Sequence, residues 1–592
     1  MIGAAGTAGT AGKAGTTGTA GTAGKAGKAI FYARRKIMRS VLMATAEFAP
    51  FVKAGGLGDV AGVLPFELRK KGADVRVVMP LYAFLPAELT DGMTLIRETQ
   101  ITLGWRRLYC GIYAADYKGL PMYFIDNKDY FGGDRLYYDM DTDIERFSYF
   151  SAGVLNALPY MDFEPDIIHC HDWHTSLIPV LLQAHFKKQT YYGALKTVLT
   201  VHNMKFQGCC NKYKLFDILG VNDGSPVAQS LSYGHDTANC FKGGLSVADK
   251  LTTVSETYAN EIRGSYFGEG LGWLMNWRGH DLVGILNGID MQSYDPSGDG
   301  AIACKFSVRD AARGKKANKA ALQCEFGLEA DAARPVIAVV SRLSAQKGLD
   351  LIMHAFDGIM NSACVVYENS VIAADITEGA AKNSCDVDAA DGTANETIDT
   401  CAANAAAAGD CAAGGAKDGC AEGVDGCAPD AGSIKYPQFV LLGVGEKVYE
   451  DFFRQKQEQY PGTVSVRMAF SDALARMIYA GADFFLMPSI FEPCGISQMI
   501  AMRYGALPIV RETGGLADTV RSYNEETGEG TGYSFSNENA DDMLYTVRRA
   551  LGIYGGGAGY AGVHDKIVAS AMSGDFSWDK SVEKYINLYE NM

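Results

Sequence analysis

The 592-residue chain contains no long apolar segment. No run approaches the roughly 20 consecutive apolar residues that a bilayer-spanning helix needs, so we expect no membrane partner. Its 14 cysteines include no Cys-x-x-Cys pair, which disfavours a disulfide scaffold and indicates a reducing compartment. The net charge of −15 leaves no broad basic surface, so we do not expect a nucleic-acid partner.

The chain also lacks complete motifs for an ordinary P-loop or a zinc protease. Gly24 and Lys25 are followed by Ala26, where a P-loop has Ser or Thr. The stretch HCHDWH would place His169 and His171 on one face of a strand, but it is not His-Glu-x-x-His and has no clear set of further ligands. We therefore favour the absence of zinc there and expect the protein to bind no metal.

The stretch DMDTD resembles a calcium-binding loop and the Asp-x-Asp motif of some metal-dependent enzymes. Ile144 follows Asp143 at the position where the calcium loop needs glycine. The stretch does not end an apolar strand either. We therefore predict a polar loop without metal.

Two segments have few large apolar side chains and are predicted to be disordered. Residues 1–37 consist mainly of Gly, Ala, Thr and Lys and contain no acid. They are interpreted either as a targeting peptide or as a translated upstream region, with the natural start at Met38. Residues 370–433 are rich in Ala, Gly, Asp and Cys, and are predicted to form an acidic surface insertion.

Elsewhere, short apolar β-type runs alternate with amphipathic helical runs, as is typical of buried parallel sheets. The pattern restarts near residue 334, so we predict an α/β protein with two doubly wound domains. The predicted strands are SVLMA, DVRVVMP, PDIIHC and KTVLTVH in the first series, and PVIAVVS, QFVLLGVG, VSVRMAF, DFFLMPS and ALPIVRE in the second.

In such folds, ligands bind beyond the carboxyl ends of the strands. The first strand of the first domain is followed by Lys53, Gly55 and Gly56. The glycines would let the backbone approach a bulky anion, and a helix beginning near Asp59 would favour negative charge. The lysine suits a phosphate, although a plain glycine turn with a solvated lysine remains the alternative.

The second domain repeats this arrangement. Arg342 and Lys347 follow the strand PVIAVV and precede a helix that should begin near Gly348. Two cations at a helix N-terminus could clamp a diphosphate, and two solvated loop cations are the alternative.

Two further loops carry polar groups at strand ends. Glu492 follows DFFLMPS and could accept hydrogen bonds from sugar hydroxyls, while the amides near Cys494 and Gly495 could donate them; helix capping is the alternative. His202 and Asn203 follow KTVLTV. Phosphate-friendly loops in both halves and a carboxylate beside them predict a transferase that uses a phosphorylated donor.

Several motifs in this order resemble the bacterial glycogen synthase and plant starch synthase family. The resemblance runs from about Met38 to the C-terminus, interrupted by residues 370–433. The motifs are KAGGLGDV, HCHDWH, TVHNMKFQG, TANCFKGGLSVADKLTTVSETYANEI, LNGID, SRLSAQKGLDL, FEPCGISQMIAMRYGALPIVRETGGLADTV and TGYSF.

The resemblance implies the GT-B fold, with two Rossmann-like domains on either side of a cleft. It implies an N-terminal, acceptor-side domain at 38–300, a C-terminal nucleotide-sugar domain at 334–575, and a helix at 576–592 that crosses back to the first domain. The implied reaction transfers glucose from ADP-glucose to the non-reducing end of an α-1,4-glucan with retention, releases ADP, and requires no metal or other cofactor. A cytoplasmic protein is expected, or a plastid one if residues 1–37 are a transit peptide.

The resemblance also assigns roles to individual residues. Lys53 is expected on the donor phosphates with Gly55 and Gly56 beside it, and Asp59 is expected near the nucleotide. Arg342 and Lys347 are expected to neutralise the departing diphosphate, since cations placed where charge develops lower the barrier. Glu492 and the amides of Cys494 and Gly495 should hold the glucose hydroxyls, and the sugar side should be lined by His202, Asp172 and Asn239. The expected catalytic groups are Lys53, His202, Arg342, Lys347 and Glu492.

One departure from related retaining transferases concerns Ile500. It stands eight residues after Glu492, where those enzymes have a second acid. Starch and glycogen synthases also lack that acid and often have an aromatic residue there, against which adenine would stack better than against isoleucine. A related transferase that uses UDP-glucose or another acceptor therefore remains an alternative, as does a glucan-binding homologue without activity. Against the latter, Lys53, Arg342, Lys347 and Glu492 are all present.

Overall fold

The computed structural model describes residues 38–366 and 432–592, with the exception of residue 558. Of the two segments predicted to be disordered, 1–37 lies outside the described residues, as does 370–433 apart from its last two positions. Within the described part, no helix is both long and apolar enough to cross a membrane.

The strands of the described residues follow the predicted alternation with helices. They are β1 Val41–Ala44, β2 Val75–Pro80, β3 Thr94–Leu103, β4 Arg106–Tyr117, β5 Leu120–Asp126, β6 Ile167–His171, β7 Lys196–Val201, β8 Cys209–Asn211, β9 Thr237–Asn239, β10 Lys250–Thr253, β11 Leu282–Gly284, β12 Val336–Val340, β13 Cys364–Val366, β14 Ser433–Lys435, β15 Gln438–Leu442, β16 Val464–Arg467, β17 Phe484–Met487, β18 Leu507–Arg511 and β19 Tyr533–Phe535. All nine strands predicted from the sequence are confirmed.

The first sheet has the order β11-β10-β7-β6-β1-β2-β5-β4-β3, and the second has the order β16-β15-β12-β17-β18-β19. The second sheet is parallel throughout. In the first, β4 pairs antiparallel with both β5 and β3, and the remaining pairs are parallel. Two doubly wound sheets, each with its own apolar core, give the predicted α/β class and the GT-B architecture.

Helices join most of the parallel strands. The α-helices are Gly56–Lys70, Ala87–Thr90, Lys128–Phe131, Met140–Ala157, Leu177–Leu181, Lys212–Leu219, Pro226–Leu231, Cys240–Val247, Glu256–Glu261, Gly272–Trp277, Ala311–Glu325, Leu349–Met360, Lys447–Gln459, Asp472–Gly481, Ser497–Arg503, Gly514–Thr519, Ala540–Tyr554, Val563–Met572 and Asp579–Glu590. The first begins at Gly56, three residues before the start predicted near Asp59.

The last helix, Asp579–Glu590, packs on the first core although it follows the second sheet in sequence. Val582, Tyr585 and Tyr589 on this helix are buried in that core. The Asp579 carboxylate accepts a hydrogen bond from Lys71 at 2.8 Å. The two halves of the chain are thus joined by the C-terminus as well as by the segment that follows β11.

The prediction of a polar loop at DMDTD is wrong. Asp139 is the N-cap of the helix Met140–Ala157, where its carboxylate accepts from the Thr142 N–H. Asp143 is buried and pairs with Arg146 one turn later at 2.5 Å. Both acids thus have partners at the start of the helix, because Asp139 satisfies a free amide donor there and Asp143 pairs with a buried guanidinium.

Candidate active site

Five loops of interest leave the carboxyl ends of parallel strands. β7, β6 and β1 are neighbours in the first sheet, and β12 and β17 are neighbours in the second. Because parallel strands end at the same edge of a sheet, each sheet presents its polar loops together. The loops that contain Lys53, Asp172 and His202 therefore lie together at the carboxyl edge of the first sheet. Those that contain Lys347 and Glu492 lie together at the carboxyl edge of the second sheet.

The loop after β1 is organised by Glu47, which the sequence analysis missed. Its buried carboxylate accepts from the N–H groups of Ala54 at 2.7 Å and Gly55 at 3.3 Å. Its other oxygen accepts from the Tyr137 hydroxyl at 2.5 Å. These three bonds fix the backbone immediately after Lys53. The only sequence signal for this role was an acid in an otherwise apolar strand end.

Lys53 and Asp59 are paired with each other. The ammonium group of Lys53 donates to Oδ1 of Asp59 at 2.8 Å, and both side chains are about two-fifths exposed. A half-exposed pair of this kind contributes little to stability, typically about 0–1 kcal/mol. The pair can therefore open at small cost when an anion approaches Lys53.

The glycines beside Lys53 face open space. A Cβ atom added to Gly55 or Gly56 would meet no protein atom within 4 Å. By contrast, a Cβ at Gly58 would come within 2.5 Å of the Lys53 Cβ atom. Packing inside the protein thus requires glycine at 58, whereas the first two positions leave room for a ligand.

Asp172 connects the loops that follow β6 and β7. It has φ = 56°, in the left-handed region that non-glycine residues rarely adopt. Its Oδ1 atom accepts from the backbone N–H of His202 at 2.7 Å and of Asn203 at 3.3 Å. Burial raises the pKa of Asp172 to about 7, although these two N–H groups act in the opposite direction.

A cluster of four buried histidines lies beneath this loop, and its members are His169, His171, His174 and His202. The rings of His169 and His171 lie 4.3 Å apart, which confirms that they share a face of β6. His171 Nδ1 and His202 Nε2 form a hydrogen bond of 2.9 Å. His169 contacts Thr200 at 2.6 Å and Tyr589 of the last helix at 2.7 Å.

Burial keeps these histidines neutral. It lowers the pKa of His171 and His174 to about 3 and that of His169 and His202 well below the usual range. In the part of the chain that the structure describes, no group of three or more His, Cys, Asp or Glu side chains is arranged to hold a metal ion. His202 is thus a buried, neutral ring supported by another neutral ring.

The side chain of Asn239 does not face the cleft. It is fully buried, and its amide donates to Oε1 of Gln207 at 2.6 Å. Its Oδ1 atom accepts from the N–H of Lys242 and so caps the helix Cys240–Val247. This placement gives Asn239 a capping role instead of the sugar contact that the resemblance implied.

In the second domain, Lys347 and Glu492 form an ion pair. Nζ of Lys347 lies 2.6 Å from Oε2 of Glu492, and the Ser489 hydroxyl donates to the same oxygen at 3.0 Å. The Glu492 residue is only 7% exposed. Arg342 lies at the surface of the same loop and has no hydrogen bond or ion pair to any residue that the structure describes.

The loops that carry this pair are packed together by their backbones. Gly348 has φ = 66°, and a Cβ there would come within 1.9 Å of the carbonyl oxygen of Pro488. The N–H of Ile490 donates to the Gln346 carbonyl at 2.9 Å. Glycine at 348 therefore lets the end of one strand loop rest against the next, which places Lys347 beside Glu492.

Backbone amides lie next to Glu492. Among the described residues, neither the Cys494 nor the Gly495 amide donates to a protein acceptor. The helix Gly514–Thr519 packs so closely here that a Cβ at Gly515 would lie 1.9 Å from the Cys494 carbonyl oxygen. Ile500 is buried in the second core, so its side chain is not presented as a surface on which adenine could stack.

Contacts across the cleft bring the two sets of loops together. The ammonium group of Lys205, three residues after His202, lies 5.9 Å from the centre of the Phe491 ring. The Glu261 carboxylate accepts from the Thr513 hydroxyl at 3.0 Å and from the Gly514 N–H at 3.0 Å. Sequence reasoning missed these contacts because each joins loops that are far apart in the chain.

Lys53 and Lys347 each have an ionic partner of their own. The partner of Lys53 is Asp59, and that of Lys347 is Glu492. Each of the two lysines that the sequence placed on a common diphosphate is therefore paired within its own domain, whereas Arg342 is unpaired among the described residues.

Known proteins resemble this chain in sequence over nearly its whole described length. The family profile "Starch synthase catalytic domain" matches residues 40–277, and "Glycosyl transferases group 1" matches residues 429–552. Glycogen synthase of Anoxybacillus flavithermus is 44% identical over 93% of this chain and 98% of that protein. Glycogen synthase of Geobacillus thermodenitrificans is 42% identical over 93% of this chain and 97% of that protein.

A solved structure is similar over nearly the whole fold. It is the catalytic domain of starch synthase IV from Arabidopsis thaliana bound to ADP and acarbose, with a TM-score of 0.73 and 30% identity, covering 94% of this chain and 99% of that one. Sucrose-phosphate synthase of Thermosynechococcus elongatus, at 14% identity and a TM-score of 0.51, shares the fold. The chain therefore belongs to the glycogen synthase and starch synthase family of glycosyltransferases.

Proposed function

We propose that this protein transfers glucose from ADP-glucose to the non-reducing end of an α-1,4-glucan, with retention of configuration and release of ADP. The observation that carries the proposal is the buried Glu492 carboxylate, held by Lys347 beside two unengaged amides at the carboxyl edge of the second sheet. The choice of ADP-glucose as donor is supported by the similar starch synthase, whose structure was solved with ADP and acarbose.

Positive side chains supply the stabilisation that a departing diphosphate needs. Negative charge grows on the diphosphate as the glycosidic bond to glucose breaks, and fixed cations lower the energy of that transition state. Arg342 is exposed and unpaired among the described residues, and Lys347 lies one short turn further along the loop. We assign both to the diphosphate.

The ion pairs of Lys53 and Lys347 define what must change when the donor binds. Lys347 exchanges Glu492 for a phosphate oxygen, and the freed carboxylate accepts a hydrogen bond from a glucose hydroxyl. Lys53 likewise exchanges Asp59 for the donor from the other side of the cleft. Each of these two lysines thus keeps an anionic partner throughout. The buried carboxylate of Glu492 likewise always has a hydrogen-bond donor, first Lys347 and then the glucose hydroxyl.

The acceptor side is assigned to the first domain. His202 is neutral and its ring is fixed by His171, so it can exchange a hydrogen bond with a sugar hydroxyl without a change of charge. Asp172 holds the backbone of the same loop. A closer approach of the two domains would bring Lys53 onto the diphosphate opposite Arg342 and Lys347.

The donor is tested by incubating the purified protein with glycogen and either ADP-glucose or UDP-glucose. We expect rapid incorporation of glucose from ADP-glucose and little from UDP-glucose. Incorporation only from UDP-glucose would refute the donor assignment, and transfer from neither would refute the proposed function.

Replacement of Lys53 by alanine is expected to lower the turnover number about 10²- to 10³-fold, because a cation aimed at developing charge is lost. The melting temperature should hardly change, since the Lys53–Asp59 pair is half exposed. Lys70→Ala serves as the control, because Lys70 also forms an exposed ion pair, with Glu67, on the helix that follows Lys53. Equal activities of the two variants would remove Lys53 from the mechanism.

A further inference from the structure

A depression of about 500 Å³ lies on the first domain, apart from the loops of the candidate site. One wall is the turn between β3 and β4, and the other is the helix Lys212–Leu219 with the residues that follow it. Its lining includes two exposed aromatic rings, two carboxylates and one amide, which belong to Trp105, Tyr213, Asp217, Asp223 and Asn222.

Trp105 is fixed in place although the residue is 74% exposed. Its indole N–H donates to the Asp217 carboxylate, with Oδ1 at 3.1 Å. Arg106 donates to Oδ2 of Asp217 at 3.2 Å, and its guanidinium lies 4.7 Å from the Trp105 ring. The carboxylate and the guanidinium together orient a large aromatic ring that remains in water.

The backbone of this turn is held against the helix by two glycines with positive φ. A Cβ at Gly104, where φ is 60°, would come within 2.2 Å of the Asp217 carbonyl oxygen. A Cβ at Gly220, where φ is 63°, would lie 3.0 Å from the Gly104 Cα atom. The turn and the end of the helix therefore pack so closely that neither position could carry a side chain. This packing holds Trp105 over the depression. Because its orientation is fixed and its face remains in water, this ring is available to an external partner.

The depression opens on the same edge of the sheet as the candidate site. Gly111 of β4 pairs with Asp126, the last residue of β5, and the two strands are antiparallel. The start of β4 and the preceding turn therefore project beyond the carboxyl end of β5, on the side where β1 and β7 end. β3 is the outermost strand, three strands from β2. Only an extended ligand could therefore occupy the depression and the candidate site at the same time.

We propose that this depression binds a segment of the α-glucan acceptor at a distance from its reacting end. The proposal rests on the proposed function in taking the acceptor to be such a glucan. Sugar rings present C–H groups to the faces of Trp105 and Tyr213, and their hydroxyls donate to the carboxylates of Asp217 and Asp223. The two acids repel phosphate, which argues against a nucleotide or nucleic acid. A second attachment to the same polymer raises the effective concentration of chain ends at the active site.

The test compares Trp105→Ala with wild type in native gels that contain glycogen and no donor. We expect the apparent Kd for glycogen to rise about three- to tenfold, as befits the loss of one aromatic stacking contact. The rate with a malto-oligosaccharide too short to reach the depression should be unchanged, whereas KM for glycogen should rise. Trp105→Phe, which keeps a ring but loses the bond to Asp217, should fall between the two.

Tyr545→Ala is the matched control, because Tyr545 is 70% exposed on a helix of the second domain. It should bind glycogen as wild type does. Unchanged retardation of Trp105→Ala would overturn the proposal. If the sedimentation coefficient of that variant were also lower, the face would instead be a contact between copies of the chain. Since the gels contain no ADP-glucose, they report on this surface even if the assay of glucose transfer fails.

Discussion

Glu492→Gln is expected to lower the turnover number about 10²- to 10³-fold while the fold stays intact. The carboxylate accepts hydrogen bonds from Lys347 and Ser489 in the structure. In the proposed transition state it accepts from a glucose hydroxyl as the sugar gains positive charge. A neutral amide keeps an oxygen acceptor in place but loses the charge, so the loss should fall on turnover more than on KM for the donor.

The glutamine variant is preferable to alanine for a structural reason. Removing one partner of a buried ion pair leaves the other charge without compensation and typically costs about 3–5 kcal/mol. Lys347 is more exposed than Glu492, and the glutamine oxygen can still accept from it and from Ser489. The variant should therefore unfold close to the wild-type temperature.

Asp357→Asn provides the matched control for this experiment. Asp357 also lies 2.6 Å from a lysine of the second domain, Lys456, but at the surface. This change should alter activity less than twofold by the ordinary behaviour of surface substitutions. Wild-type turnover in Glu492→Gln would exclude Glu492 from the reaction, whereas a lowered melting temperature with a proportionate loss of activity would indicate a structural role.

The strands and the loops that end them could be predicted because each depends on local sequence. Continuous apolar runs separated by amphipathic helices specify a buried parallel sheet, and its chemistry falls at the strand ends. The strands β3 and β4 were not predicted because they lack this local apolar signature. Much of β3 is exposed, so Thr94–Leu103 does not carry the apolar signature of a central strand.

The partners of the charged residues could not be predicted. That Lys53 pairs with Asp59, and Lys347 with Glu492, depends on which side chains lie within reach once the loops have packed. The packing of Gly348 against Pro488 decides the second of these pairs. Asn239 shows the reverse case, because its place in a motif suggested a ligand contact while its helix-capping position gives it a local role.

The first domain is expected to lose stability steeply below about pH 6, because its four clustered histidines are buried in the neutral form. Each has an ordinary pKa near 6.5 when the chain is unfolded, and a much lower one in the folded protein. The stability that these groups contribute is present above pH 6.5 and is lost as the pH falls toward their folded values, since the unfolded chain then binds protons that the folded chain cannot.

Asp172 acts in the opposite direction. Burial raises its pKa to about 7 from 3.8, so it contributes stability that is present below pH 3.8 and is lost as the pH rises through 7. As the pH falls between these values, its gain cancels the loss from one histidine. Three net protons remain, which corresponds to about 4 kcal/mol per pH unit. Domains are typically stable by about 5–15 kcal/mol, so unfolding should begin near pH 5.

Urea unfolding at pH 7.5, 6.5 and 5.5 measures this effect. Trp173 is buried 4.5 Å from the His174 ring and is well placed to report by fluorescence on the cluster. The midpoint should fall only slightly between the first two pH values and sharply between the last two. In His169→Gln, whose amide can still bond to Thr200 and Tyr589, the pH dependence should be about one third weaker because one titrating group is gone. Equal midpoints at pH 7.5 and 5.5 would mean that the histidines are accessible to protons in the folded protein, and the neutral support proposed for His202 would then fail.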